Sequence, residues 1–253
     1  MRSIVFGVLL SAMLAISAGA QPEQRFESGT GKVALIELYT SEGCSSCPPA
    51  EHWLSGLRQD PGLWKAFVPV AFHVTYWDKL GWKDEFARDV FTARQYAYAK
   101  LWGSESVYTP CFVHDGTEWR SRTRPGDPRE NAGALTVVVV GASGQLDIHY
   151  APLTAKDDSL EVWSAVLSTD VDSIVERGEN AGRKLRHDFT VMELASAPLQ
   201  PGADSRDLVA SLQLREASRP VPDIRAVAAW VTVGNKPGRV LQAAGGWLSA
   251  TAK

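Results

Sequence analysis

Val33-Ala34-Leu35-Ile36-Glu37-Leu38-Tyr39 runs almost directly into Cys44-Ser45-Ser46-Cys47-Pro48, and the reading of that junction decides the fold. The apolar run has the length and composition of a buried strand. Pro48 and Pro49 open a helix, because neither needs a backbone N–H at that position. The helix runs to about Gln59 and stops before Asp60-Pro61-Gly62. A strand that hands a C-x-x-C to a helix start is a redox geometry. The strand end exposes the first sulfur, and the helix N-terminus supplies unpaired N–H groups and partial positive charge. Both favour the thiolate, which is the reactive species. Disulfide exchange heads the functions this implies, with metal capture behind it.

Working outward, Phe67–Tyr76 reads as a second strand. It leads into the aromatic loop Trp77-Asp78-Lys79-Leu80-Gly81-Trp82. With Tyr76, those aromatics either wall a groove beside the cysteines or shield the core as a packed loop. Ala87–Leu101 has helical periodicity, and Val107–Val113, the turn Asp115-Gly116 and Thr117–Ser121 form a short hairpin. The order is β-α-β-α-β-β. Thr123-Arg124-Pro125-Gly126-Asp127-Pro128 then breaks the pattern. The boundary is short and holds two prolines, so the halves are expected to pack together. Candidate strands follow at Leu135–Val140, Gln145–Tyr150, Leu160–Ser168, Lys184–Leu194, Leu208–Leu214, Ile224–Val233 and Val240–Trp247. Their spacing suggests an antiparallel sandwich or open barrel.

Residues 1–20 stand apart. Arg2 precedes an apolar stretch, and Ala18-Gly19-Ala20 fits a cleavage site. This is the pattern of a secretory signal, and it is short for a membrane span. Export with cleavage near Ala20, to the periplasm or the medium, is the expectation, and membrane insertion of the mature chain is not. Residues 21–32 read as a flexible mature N-terminus. A net charge of −3 gives no electrostatic case for nucleic acid or an anionic membrane. Three cysteines are too few for a disulfide-stapled scaffold, and pairing Cys44 with Cys47 leaves Cys111 over.

The first half resembles the thioredoxin superfamily through Ile36-Glu37-Leu38-Tyr39-Thr40, Cys44-Ser45-Ser46-Cys47-Pro48 and Tyr108-Thr109-Pro110. The chain as a whole resembles an exported bacterial thioredoxin-like domain-of-unknown-function family. That likeness rests on residues 39–50, on residues 73–84, and on Arg177-Gly178-Glu179-Asn180-Ala181-Gly182-Arg183. The resemblance implies an α/β thioredoxin-like domain over 30–125 and an antiparallel β-sandwich or open-barrel domain over 132–250. It implies that an exposed Cys44 attacks a disulfide and Cys47 resolves the mixed disulfide. It places Pro110 as a cis-proline facing the cysteines and Thr109 as backbone open to an extended substrate. Glu37 would take the proton of the second cysteine. Glu37 stands where thioredoxins carry Asp, and Ser45-Ser46 where they carry Gly-Pro.

Against thiol exchange with a protein or small-thiol partner, which needs no cofactor, stand two other readings. One is a copper or zinc site built from Cys44 and Cys47 with Cys111 or His73. The other is a binding scaffold with a structural disulfide. Cys111 suits a small buried core residue, and His73 a core histidine. Residues 177–183 read as a long turn whose glycines supply positive φ, and His187 as a surface strand residue.

Overall fold

The computed structural model describes residues 23–121, 123, 130–140, 144–153, 159–203, 207–213, 225–234 and 237–249. The residues read as a signal segment and cleavage site, and nearly all of the expected boundary, lie outside them.

The chain begins with β1 (Gln24–Glu27), β2 (Ala34–Thr40), α1 (Pro48–Gly56), β3 (Phe67–His73), α2 (Asp89–Leu101), β4 (Cys111–His114) and β5 (Thr117–Glu118). A 3-10 turn at Leu57–Gln59 ends α1, and a second covers Thr75–Leu80. Then come β6 (Ala134–Val140), β7 (Gln145–Ala151), β8 (Leu160–Ser168), β9 (Val171–Ile174) and β10 (Lys184–His187). The last strands are β11 (Thr190–Pro198), β12 (Gln200–Pro201), β13 (Leu208–Gln213), β14 (Arg225–Val233) and β15 (Val240–Trp247). The expected strand at 184–194 is thus two strands. The segment read as a flexible N-terminus carries β1, which pairs with β6.

The architecture differs from the α/β thioredoxin-like domain plus separate β-domain that the sequence suggests. Of the described residues, 47% are strand and 16% helix, in three sheets. The helices α1 and α2 have only 9 and 13 residues. The largest sheet has eight strands in the order β15-β14-β8-β11-β3-β2-β4-β5, so strands from both halves of the chain form one surface. Among the described strand pairs of this sheet, β2–β3 and the single β3–β11 bridge at Ala71 and Thr190 are parallel, and the others are antiparallel. The local reading fails because a strand does not encode its neighbour. β3 is apolar throughout and buried along its whole length, as a strand covered on both faces must be. The free edge that an isolated α/β unit would leave beside it is occupied by β11.

A five-stranded antiparallel sheet, β1-β6-β7-β13-β12, covers one face of the large sheet. Between them lies a core of Leu135, Val137 and Ile148 against Val162, Val227, Ala229 and Val231. A second core, built on Leu35, Leu38, Phe67, Phe72, Phe91 and Trp230, seats the helices. Gln242 fastens the seam: its Oε1 accepts from Val33 N (2.8 Å) and its Nε2 donates to Gly31 O (2.9 Å) and Gly133 O (2.7 Å). The small β9–β10 ribbon brings residues 171–187 over the N-terminal end of α1. This arrangement positions the site.

Candidate functional site

The parallel strands β2 and β3 end side by side at Thr40 and His73, and the Cys44–Cys47 loop rises from the end of β2. The two cysteines form a disulfide with their Cα atoms 5.4 Å apart, within the range such a bond requires. Cys47 is the residue that caps α1. Ser45 and Ser46 are exposed, but both cysteines are fully buried. The first sulfur, expected at the surface from the sequence, is instead enclosed. The 177–183 segment is fastened to this loop. Glu179 Oε2 accepts from Ser45 N (3.1 Å) and Ser45 Oγ (2.6 Å). The Asn180 amide donates to Glu42 O and Cys44 O. Gly178 and Gly182 do supply positive φ, at +79° and +80°, yet the turn also lies across the disulfide loop.

The Thr109–Pro110 peptide is cis. Cys44 Sγ lies 3.8 Å from Thr109 O and 3.3 Å from Ser46 Oγ. The aromatic loop contributes Trp77, whose Nε1 donates to Thr109 Oγ1 (2.7 Å), and Trp82, whose Nε1 donates to Glu42 Oε2 (2.7 Å). These rings are hydrogen-bonded wall, with Leu80 left exposed.

Glu37 does not face the sulfurs as a free base. Its carboxylate is buried and accepts from Arg94 Nε (2.8 Å), Arg94 Nη2 (3.2 Å), Tyr39 Oη (2.9 Å) and Tyr98 Oη (2.5 Å). With its lone pairs taken by an ion pair and two phenols, it serves the packing of α2 on the sheet. Cys111 stands opposite Tyr39 in the β2–β4 ladder. It is buried, and burial pushes its thiol up to about 11.

The residues that sequence reasoning missed lie just beneath the disulfide loop. His187, read as a surface residue, is buried. Its Nδ1 is 2.6 Å from Glu51 Oε2; its Nε2 is 3.2 Å from Glu42 Oε1 and 3.0 Å from Ser173 Oγ. Burial alone would lower its pKa, but the Glu51 charge and the bonds to Glu42 and Glu51 raise it to about 10. Burial likewise pushes the Glu51 carboxyl up, and the charge and hydrogen bond of His187 outweigh it, so the net shift is downward. His73 Nδ1 is 2.7 Å from Asp84 Oδ2. Asp84 also accepts from Glu42 N (2.9 Å) and Phe86 N (2.9 Å). Among the described residues, Glu51, His73 and His187 are the group whose donor atoms converge as metal ligands do, all within 4.8 Å. Of the four metal candidates read from the sequence, His73 belongs to it, and Cys44, Cys47 and Cys111 do not.

The fold and site therefore define a mixed-sheet β-protein with a short-loop disulfide set over a buried His–carboxylate cluster. Residues 35–232 match the family described as protein of unknown function (DUF1223), and the chain belongs to that family. No curated protein matches it. Two solved structures are similar. A crystal structure of an Agrobacterium tumefaciens protein aligns with a TM-score of 0.54 at 21% identity, covering 85% of this chain and 94% of that one. HBP35 of Porphyromonas gingivalis aligns with a TM-score of 0.59 at 15% identity, covering 89% and 80%. At these identities the likeness is one of fold.

Proposed function

We propose that this is an exported protein that exchanges thiols and disulfides, through Cys44 and Cys47, with a protein or small-thiol partner. The observation that carries the reading is the disulfide closed across Ser45-Ser46 at the first turn of α1. In the reduced state, the orphan N–H groups and dipole of that turn favour thiolate. Cys44 attacks a partner disulfide and forms a mixed disulfide, releasing one partner thiolate. Cys47 then attacks the Cys44 sulfur, releasing the second and restoring the internal bond. Two electrons pass from the pair to the partner, and the reverse direction uses the same steps. Because both sulfurs are covered in the oxidised form, exchange requires the 177–183 segment to lift from Ser45. Export is supported by the residue 1–20 pattern and by the disulfide itself, which persists outside the cytoplasm. No helix among the described residues is long and apolar enough to cross a membrane.

A structural disulfide in a binding scaffold is the second reading, favoured by the complete burial of both sulfurs. Equilibration with dithiol buffers separates the two. A structural bond resists reduction, with a potential below about −300 mV, and an exchanging one lies above it. The first reading expects the higher value, with limiting alkylation of the reduced protein falling on Cys44. A potential below that mark, or preferential labelling of Cys47, sinks the assignment.

A further inference from the structure

We infer that Glu51, His73 and His187 form a binding site for a divalent transition-metal ion of the zinc type, beneath the disulfide and separate from it. The donor set is two imidazoles and a carboxylate, which suits borderline ions. Three protein ligands leave one tetrahedral position for water or an exogenous ligand.

The first argument is an orphaned atom. His73 is 1% exposed, and its Nε2 is buried with no hydrogen-bond partner. A buried unpaired ring nitrogen costs free energy unless something occupies it. Asp84 fixes which nitrogen that is. Its two oxygens already accept from the backbone N–H groups of Glu42 and Phe86, so it takes Nδ1 of His73 as a donor. Nε2 is then the ring nitrogen left without a partner, and His73 offers a donor atom within 4.8 Å of those of Glu51 and His187.

The second argument is the outer partners. Histidine ligands of metals almost always hand their other ring N–H to a carboxylate, a backbone carbonyl or water, which fixes the ring and raises its basicity. Both imidazoles here have one: Asp84 for His73, and Glu42 for Nε2 of His187. Nδ1 of His187 then faces Glu51, its hydrogen bridging the two at 2.6 Å. A metal takes the place of that hydrogen, which leaves as a proton when the ion binds.

The third argument is charge and access. Glu42, Glu51 and Asp84 place three carboxylates around two imidazoles with little solvent, and an added dication offsets that excess. Phe86 packs on both rings, at 5.2 and 5.3 Å between centroids, and keeps the dielectric low. Glu51 also lines an open cleft of about 460 Å³ between α1 and β10. Three basic residues of that cleft are paired, Arg58 with Asp188, Lys184 with Asp172 and Arg186 with Asp170, and a fourth, Arg183, donates to Asn180 Oδ1.

The inference does not depend on thiol exchange. The test uses the full mature chain, oxidised and stripped with chelator, dialysed against Zn²⁺ and, in parallel, Co²⁺. One equivalent of zinc per chain is expected. The cobalt form should show visible ligand-field bands without sulfur-to-metal charge transfer. A Cys44→Ser/Cys47→Ser variant should bind the same amount. His73→Ala should bind none, and Asp84→Asn should bind about 10- to 100-fold more weakly. Absence of zinc binding by the native chain overturns the site. So does a sulfur charge-transfer band, a loss of metal with the cysteines, or full retention in His73→Ala. If His73→Ala does not fold, the cobalt spectrum and the cysteine variant still decide.

Discussion

The side-chain amide of Asn180 donates to the carbonyl oxygens of both Glu42 (2.8 Å) and Cys44 (2.9 Å), tying the second half of the chain to the backbone either side of Gly43. Asn180 is itself buried, and Arg183 Nη1 donates to its Oδ1 at 2.7 Å. One side chain thus fixes the disulfide loop against a segment 136 residues away. Asn180→Ala takes the amide donor from the buried Glu42 carbonyl, while Cys44 O keeps only the Cys47 N–H. The expected cost is about 1–3 kcal/mol of stability, read by urea denaturation. The same variant should be reduced faster by a small dithiol, because the loop loses its cover. An unchanged reduction rate in a destabilised variant would show that the segment does not gate the sulfurs.

Arg94 joins α2 to the large sheet. Its guanidinium pairs with Glu37 and sits 5.0 Å from the Trp163 ring and 5.2 Å from the Trp230 ring, which belong to β8 and β14. Glu37→Gln leaves a buried cation without its counter-charge, and the expected loss is about 3–5 kcal/mol. Because Glu37 is spent on this pair, the alkylation rate of the reduced cysteines in a folded Glu37→Gln protein should match that of the native chain. A large fall in that rate would restore Glu37 as a proton acceptor for the thiols.

Where the sequence was legible, it was legible locally. Leu160–Ser168 and Val240–Trp247 are strands with the limits their composition and flanking turns suggest. Neighbours in the sheet were not legible, because β3 meets β11 through a short parallel contact at Ala71 and Thr190 that no periodicity announces. β1 was hidden in a polar segment, though Gln24–Glu27 alternates between half-buried and exposed. The same signal was available for His187. In Lys184-Leu185-Arg186-His187 the charged residues point out and Leu185 and His187 point in, a period-2 pattern masked by the basic residues. Glu51 follows Cys47 by one helical turn and so shares its face. That spacing could have linked the cysteines to the buried cluster.

Cys111 should be chemically silent in the native state. It is buried, and burial raises its thiol from 9.0 to about 11. Near pH 8 it is therefore protonated, and a thiol reagent should label it only after denaturation. The sign of the stability effect follows from the direction of the shift. The unfolded chain loses this proton first, so stability held below about pH 9 should decline as pH rises from about 9 towards 11. Cys111→Ala should flatten that part of the alkaline stability profile. Rapid labelling of Cys111 in the folded oxidised protein would contradict both its burial and its raised pKa.

β15 lies close against its neighbours at two adjacent glycines, Gly245 and Gly246. A Cβ on Gly245 would lie 2.6 Å from Val227 O and 2.9 Å from Trp64 Cζ3; one on Gly246 would lie 2.2 Å from Phe26 Cδ1. These contacts have different consequences. At Gly245 the obstacle is partly backbone of the neighbouring strand β14, so the ladder itself must shift. At Gly246 the obstacle is the Phe26 ring, so β1 can move away. Gly245→Ala should cost about 1–3 kcal/mol in global stability, as overpacking does. Gly246→Ala should act chiefly on β1, raising amide exchange at the β1–β6 pairing while leaving β8 and β14 protected. Hydrogen exchange resolved by strand separates the two. Equal loss of protection across the large sheet in Gly246→Ala would mean that β1 is not an independently yielding edge but part of what holds the two sheets together.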